Sequence, residues 1–232
     1  NSFGNSITFT KTNTLGAHTF LEACRVNKVK KIIHISTDEV YGENIGKAFS
    51  ERRFLNPTNP YSASKAGADM IANSYIYSYK LPIIIVRANN IFGKRQFPEK
   101  LISKTIFSFL KKIKMTIHGD GDYYRYFLSV EDFCEGIKVI IDKGKTGDIF
   151  NIASNKEYKI TKVVEKICDI FRIDFKNNVK FVTNRPFNDK SYNISCKKLS
   201  LLGWKPKKKL FDELPEICEW YKKNISIFNK WK

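Results

Sequence analysis

The sequence predicts an α/β protein built on a buried parallel sheet, and three observations carry that prediction. Residues 31–35 (KIIHI) and 81–88 (LPIIIVRA) are short apolar runs rich in branched side chains, the pattern of strands covered on both faces. Each run leads into a polar cluster, Ser36-Thr37-Asp38-Glu39 after the first and Asn89-Asn90 after the second, at the strand end where open α/β sheets bind ligands. Between them a helix opens: Pro57, Asn59 and Pro60 punctuate the chain, and Ser62, Ala63, Ala66, Ala68, Met70 and Ile71 follow at helical spacing.

Taken in order, residues 6–28 read as one long helix with an apolar stripe of Ile7, Leu15, Phe20, Leu21 and Ala23, ended by Asn27-Lys28. The stripe fits a core face and a subunit contact equally. After the strand at 31–35 come the acids, Tyr41-Gly42 and a polar loop. On the next helix Tyr61 and Lys65 are four apart and share one face. An ammonium beside a phenol favours the phenolate and lowers a pKa that is otherwise about 10, so the pair can take a proton from a hydroxyl group. Taken alone, Asp38 and Glu39 would merely begin a turn. Beside a Tyr-Lys pair they offer the base and the acid that an elimination needs close to its reacting carbons.

Beyond the strand at 81–88, Phe97-Pro98-Glu99-Lys100-Leu101 opens a helix through Lys111, and Lys100 beside that helix N-terminus suits an anion. IHGDGD (117–122) is a Gly-punctuated turn, and RYFLSVED (125–132) leads into a helix with Ser129 as N-cap and Asp132 at N3, a capping-box variant. GDIFNIAS (147–154) is a further strand and turn before a helix over 161–172. Helices near 196–202 and 211–224 close the chain, with Trp204 and Trp220 as packing residues.

Composition narrows the classes. At 232 residues and 42% apolar content the chain holds one sizeable core, or a large and a small lobe. The net charge of +18 comes from lysines scattered along the whole chain, and KPKKK (205–209) reads as a solvated loop, so nucleic acid is not expected as a partner. The five cysteines are odd in number, widely spaced and without a CxxC pair, which argues against a disulfide framework and a zinc site and for the cytoplasm. His18, His34 and His118 are equally scattered, so no metal is expected. No apolar run of this sequence approaches a membrane span, and a signal segment is not expected.

ISTDEVYG (35–42) and NPYSASKA (59–66) together resemble the short-chain dehydrogenase/reductase superfamily in its extended, nucleotide-sugar branch, and the dTDP-glucose 4,6-dehydratases in particular. The likeness continues through RANNIFG (87–93), FPEKLI (97–102), IHGDGDYYRYFLSVED (117–132), GDIFNIAS, NRPFND (184–189) and LGWKP (202–206), and so covers essentially the whole chain. It implies a Rossmann-like parallel sheet whose first part, with the Gly-rich phosphate loop, lies upstream of this sequence. Residues 1–93, with 129–153 returning to them, would form the NAD-binding lobe; 94–128 and 154–232 would form the sugar-nucleotide lobe.

The resemblance further implies NAD as cofactor, a nucleoside-diphosphate-glucose as substrate, and a homodimer paired through helix 6–28 and the Tyr61 helix. In that chemistry Tyr61, assisted by Lys65 and Thr37, removes the C4 hydroxyl proton while hydride passes to NAD. Glu39 then removes the C5 proton, Asp38 protonates the departing 6-hydroxyl, and hydride returns to C6. Ser2, Ser36, Tyr61 and Lys65 are implied at the cofactor, although for Ser2 an ordinary polar residue near a chain end fits equally. Thr37, Asn90, Lys100, Leu101, Arg125, Arg185 and Asn188 are implied at the sugar nucleotide. Four positions depart from the family pattern: Ala17 for a threonine, Ile91 for a second asparagine, Tyr126 after the arginine, and Asn188 for a histidine. A 4-epimerase or decarboxylase on the same scaffold is the alternative enzyme, and a non-catalytic sugar-nucleotide-binding or dimerisation module is the alternative from another class. No motif distinguishes dTDP from UDP.

Overall fold

The structure, a computed structural model, describes residues 2–228. Its elements run α1 Ser6–Phe9, a π-helical stretch Thr10–Leu15, α2 Gly16–Val26, β1 Ile32–Thr37, a 3₁₀ turn Asp38–Tyr41, β2 Asn44–Phe49, α3 Pro60–Tyr79, β3 Ile83–Ala88 and β4 Asn90–Phe92. There follow α4 Leu101–Leu110, β5 Met115–His118, β6 Tyr124–Ser129, α5 Val130–Lys143, β7 Ile149–Ile152, β8 Glu157–Lys159 and α6 Ile160–Phe171. The remainder is α7 Phe175–Asn178, β9 Val179–Val182, β10 Tyr192–Ile194, α8 Lys197–Leu201, α9 Leu210–Asn224 and a 3₁₀ turn Ile225–Phe228.

The chain divides into two compact units: Asn1–Asn89 with Cys134–Ala153 and Asp189–Lys205, and Asn90–Phe133 with Ser154–Asn188 and Pro206–Lys232. In the first, β1, β3 and β7 form a parallel sheet in the order β1-β3-β7. Both sequence-predicted strands belong to it. All six residues of the central β3 are buried, which is why that strand reads as an unbroken apolar run. Against the sheet pack Leu21 and Cys24 of α2 and Ala72 and Tyr75 of α3; each large aliphatic side chain buried there contributes about 1.5–3 kcal/mol.

Helix α3 starts where its punctuation predicts. Asn59 caps it through the Ser62 amide, Ser62 answers to the Asn59 amide, and Pro60 takes the first turn, where a missing N–H costs nothing. The single helix expected over 6–28 is instead α1 and α2 joined by the π-helical stretch. That wider turn brings Thr14 and Asn13 onto α3, with Thr14 Oγ1 donating to the Ser64 carbonyl at 2.7 Å and Asn13 Nδ2 to Ser64 Oγ at 2.9 Å. Of the apolar stripe, Leu21 is buried, whereas Ile7, Leu15 and Phe20 are 69%, 58% and 60% exposed.

Residues 189–205, expected with the smaller lobe, lie in the first unit because β10 pairs in parallel with β2 and Lys198 of α8 bonds Asp148 and the Ile149 carbonyl beside β7. Residues 90–93 and 129–133, expected with the cofactor lobe, lie in the second, because β4 pairs in parallel with β6 and ends there.

In the second unit β4, β6 and β8 form one sheet and β5 pairs with β9. Its core gathers Ile102 and Ile106 of α4, Val163, Val164 and Ile167 of α6, and Leu214, Ile217 and Tyr221 of α9. Helix α4 begins at Leu101, later than expected. Ser129 Oγ accepts from the Glu131 amide at α5, while Asp132 Oδ2 accepts from the Lys207 and Lys208 amides at 2.9 and 2.8 Å. The KPKKK segment is thus tied down by its backbone, and Lys208 is paired with Glu131 and Glu213.

Candidate active site

In the first unit the chemistry-bearing residues gather at the carboxyl ends of β1 and β3. Thr37, in extended conformation, caps the 3₁₀ turn: its Oγ1 accepts from the Glu39 amide at 3.3 Å and donates to Asp38 Oδ1 at 3.0 Å. Gly42 ends that turn with φ +79°, and a Cβ there would lie 2.3 Å from the Asn56 carbonyl oxygen, so only glycine lets the chain leave the acids this way. Asp38 is 3% exposed. Glu39 is half-buried, and its Oε2 accepts from Asn59 Nδ2, the side chain that also caps α3, at 3.3 Å.

Tyr61 stands in the first turn of α3 and Lys65 one turn on, both half-buried. Lys65 Nζ donates to the Ile35 carbonyl of β1 at 2.7 Å, which fixes the amine beside the strand that carries the acids. Burial pushes the Lys65 pKa down, and the charge of Asp69 opposes that push. Ser36 is buried beside the same carboxyl, and Ser2 is buried in the same unit.

Further buried polar residues of the first unit adjoin this cluster. Asn89, 4% exposed, donates its Nδ2 to Asp38 Oδ2 at 2.7 Å. Asn90, the residue expected at the sugar nucleotide, sits on β4 in register with Phe127. Asp69, a further turn along α3 from Lys65, is wholly buried and pairs with Arg87 Nε of β3 at 2.9 Å, with His34 Nε2 of β1 3.2 Å away. Arg87 also donates to Tyr41 OH at 2.8 Å, and Tyr41 donates to Asn151 Oδ1 at 2.9 Å. The signal for this network was an Asp inside an alanine-rich helix and an Arg inside an otherwise apolar strand, since buried charges require partners.

In the second unit Arg125 and Asn188 are brought together, with Arg125 Nη2 donating to Asn188 Oδ1 at 3.3 Å. Lys100 is the N-cap residue of α4 and Leu101 its first helical residue, and no side chain caps that helix start. Lys104, which no motif marks, stands one turn on; burial and the nearby Arg185 charge push its pKa down, and its Nζ reaches Thr116 Oγ1 at 3.2 Å. Among the described residues no group of His, Cys, Asp and Glu is arranged to hold a metal ion.

Residues 1–217 match the GDP-mannose 4,6 dehydratase family. A trifunctional UDP-glucose 4,6-dehydratase/UDP-4-keto-6-deoxy-D-glucose 3,5-epimerase/UDP-4-keto-L-rhamnose-reductase of Arabidopsis thaliana is 46% identical over 97% of this chain. The chain spans 34% of that relative's length. A dTDP-glucose 4,6-dehydratase of Streptomyces venezuelae, crystallised with NAD bound, superposes with a TM-score of 0.96 at 31% identity, over 100% of this chain and 72% of that one. A UDP-glucose 4-epimerase of Thermotoga maritima shares the fold at TM-score 0.87 and 25% identity, over 97% of this chain and 74% of that one. Fold alone therefore does not choose between dehydration and epimerisation. The chain belongs to the GDP-mannose 4,6 dehydratase family.

Proposed function

We propose that this chain carries the catalytic residues of an NAD-dependent nucleoside-diphosphate-glucose 4,6-dehydratase, with UDP-glucose or dTDP-glucose as substrate. The observation that carries the reading is Thr37-Asp38-Glu39 held at the end of β1, the strand whose Ile35 carbonyl anchors Lys65. Tyr61, its phenolate favoured by the Lys65 ammonium, takes the C4 hydroxyl proton, and Thr37 orients that hydroxyl. The resulting C4 ketone acidifies C5. Glu39 removes the C5 proton, and Asp38 protonates the 6-hydroxyl as the C6–O bond breaks. An epimerase has no use for that second acid–base pair.

NAD, when bound, supplies the acceptor for the C4 hydride and its return to C6. The donor set of this unit fits such a group, because Lys65 gives one of its three N–H bonds to Ile35 and keeps two for ribose hydroxyls. Ser2 and Ser36 are the further polar residues proposed at the cofactor. In the second unit Lys100, Leu101 and Arg125 suit the diphosphate, through cations, a free helix start and a planar guanidinium. Asn90, Arg185 and Asn188 are proposed for the sugar and the nucleoside.

Ile7, Leu15 and Phe20, with Met70 and Tyr77 of α3, are exposed and are proposed as contacts of a homodimer, testable by light scattering. The five free thiols suit the cytoplasm. No helix among the described residues is long and apolar enough to cross a membrane. Incubating the NAD-loaded enzyme with UDP-glucose and with dTDP-glucose tests the activity: a 4-keto-6-deoxy sugar nucleotide is expected from at least one. Recovery of only the C4 epimer would overturn the dehydratase reading.

A further inference from the structure

The register of β1 on β3 pairs Thr37 with Ala88, so the residues that follow, Asp38 and Asn89, leave the sheet side by side. Asp38 is held at both oxygens, with Thr37 Oγ1 on Oδ1 at 3.0 Å and Asn89 Nδ2 on Oδ2 at 2.7 Å. The Asn89 amide cannot turn over without loss, because Nδ2 also faces the Tyr192 carbonyl at 3.5 Å and an oxygen there would meet two acceptors. Its own Oδ1 is buried without a hydrogen-bond partner, at a cost in desolvation. A group kept under that cost, with its donor aimed at a carboxylate, points to a role beyond packing.

We propose that Asn89 is a positioning residue that decides which oxygen of Asp38 carries the acid proton. A permanent N–H donor occupies Oδ2, so a proton on Asp38 resides on Oδ1, from which the Thr37 hydroxyl turns its own hydrogen away. Asp38 then presents one defined O–H for the elimination. In that step the C5 proton passes to Glu39, the C5–H electron pair forms the C5=C6 bond, the C6–O bond breaks, and its oxygen takes the Asp38 proton and leaves as water. The inference rests on the dehydratase reading. It adds that proton delivery, and not only the presence of the carboxyl, depends on β3.

The test compares two leaving groups in the NAD-loaded enzyme, using whichever nucleotide the wild type turns over. Hydroxide needs a proton to leave, whereas fluoride from the 6-deoxy-6-fluoro sugar does not. Asn89→Ala should lower elimination from the glucose substrate by about tenfold or more, the loss of one charge-assisted hydrogen bond. Fluoride release should change less than about threefold, the scale of a small indirect effect. Equal losses with both substrates would make Asn89 a structural residue and overturn the proposal, as would no loss with either. Asn89→Ser, which keeps a polar group but is too short to reach Oδ2, should behave as Asn89→Ala and serves if the alanine variant does not fold. A wild type that eliminates from neither substrate refutes the dehydratase reading itself, a separate result.

Discussion

Arg87 Nε lies 2.9 Å from Asp69 Oδ2, and the two side chains are 3% and 0% exposed, so an ion pair between β3 and α3 is sealed beneath the helix that carries Tyr61 and Lys65. Breaking such a pair leaves an uncompensated buried charge. Asp69→Asn should therefore cost about 3–5 kcal/mol in urea unfolding, and removing both charges in Asp69→Leu with Arg87→Met should cost less than the single change. A double variant less stable than Asp69→Asn would refute this account.

The same carboxyl sets an acid dependence. Burial alone would push the Asp69 pKa up, but the His34 imidazole 3.2 Å away and the Arg87 charge outweigh it and hold the group below its ordinary 3.8. A depressed carboxylate contributes stability that is present above the unfolded pKa and lost as pH falls through the folded value. Stability should thus decline below about pH 4, and Asp69→Asn should flatten that decline in equilibrium unfolding followed from pH 5 downward.

Lys65 separates function from stability. Its ammonium is partly desolvated, so Lys65→Met removes a charge that folding disfavours while removing the cation that supports the Tyr61 phenolate. Oxidation at C4 should fall by about 10²-fold or more, with a melting temperature equal to or above wild type. A destabilised variant would mean that the bond to Ile35 outweighs the desolvation.

Glu39→Gln keeps shape and hydrogen bonding but removes the base proposed for C5. Solvent deuterium incorporation at C5 should drop by about 10²-fold, while the first-stage absorbance of reduced nicotinamide still appears. Exchange at the wild-type rate would reduce Glu39 to a turn residue.

Arg125→Ala removes a proposed charge-assisted contact with the diphosphate, worth about 1.5–3 kcal/mol. KM should rise with kcat nearly unchanged; the reverse pattern would place Arg125 in the chemistry and not in binding.

The parts of the fold whose cause is local can be read from the residues alone. Strands β1 and β3 follow from runs of branched apolar residues, the start of α3 from Asn59-Pro60 and Ser62, and the shared face of Tyr61 and Lys65 from helical periodicity. The acids after β1 were legible for the same reason, since a strand end locates whatever follows it. That Asn89 and not Asn90 meets Asp38, that Asp69 finds Arg87 and His34, and that Asp132 takes its bonds from Lys207 and Lys208 follow from how distant segments pack together. Residues 189–205 join the first unit for the same reason, because β10 finds its partner in β2. Each of these contacts joins segments far apart in the chain through sheet register or helix packing. Periodicity and turn residues report how a segment folds on itself, whereas a buried polar side chain takes its meaning from the partner the fold delivers.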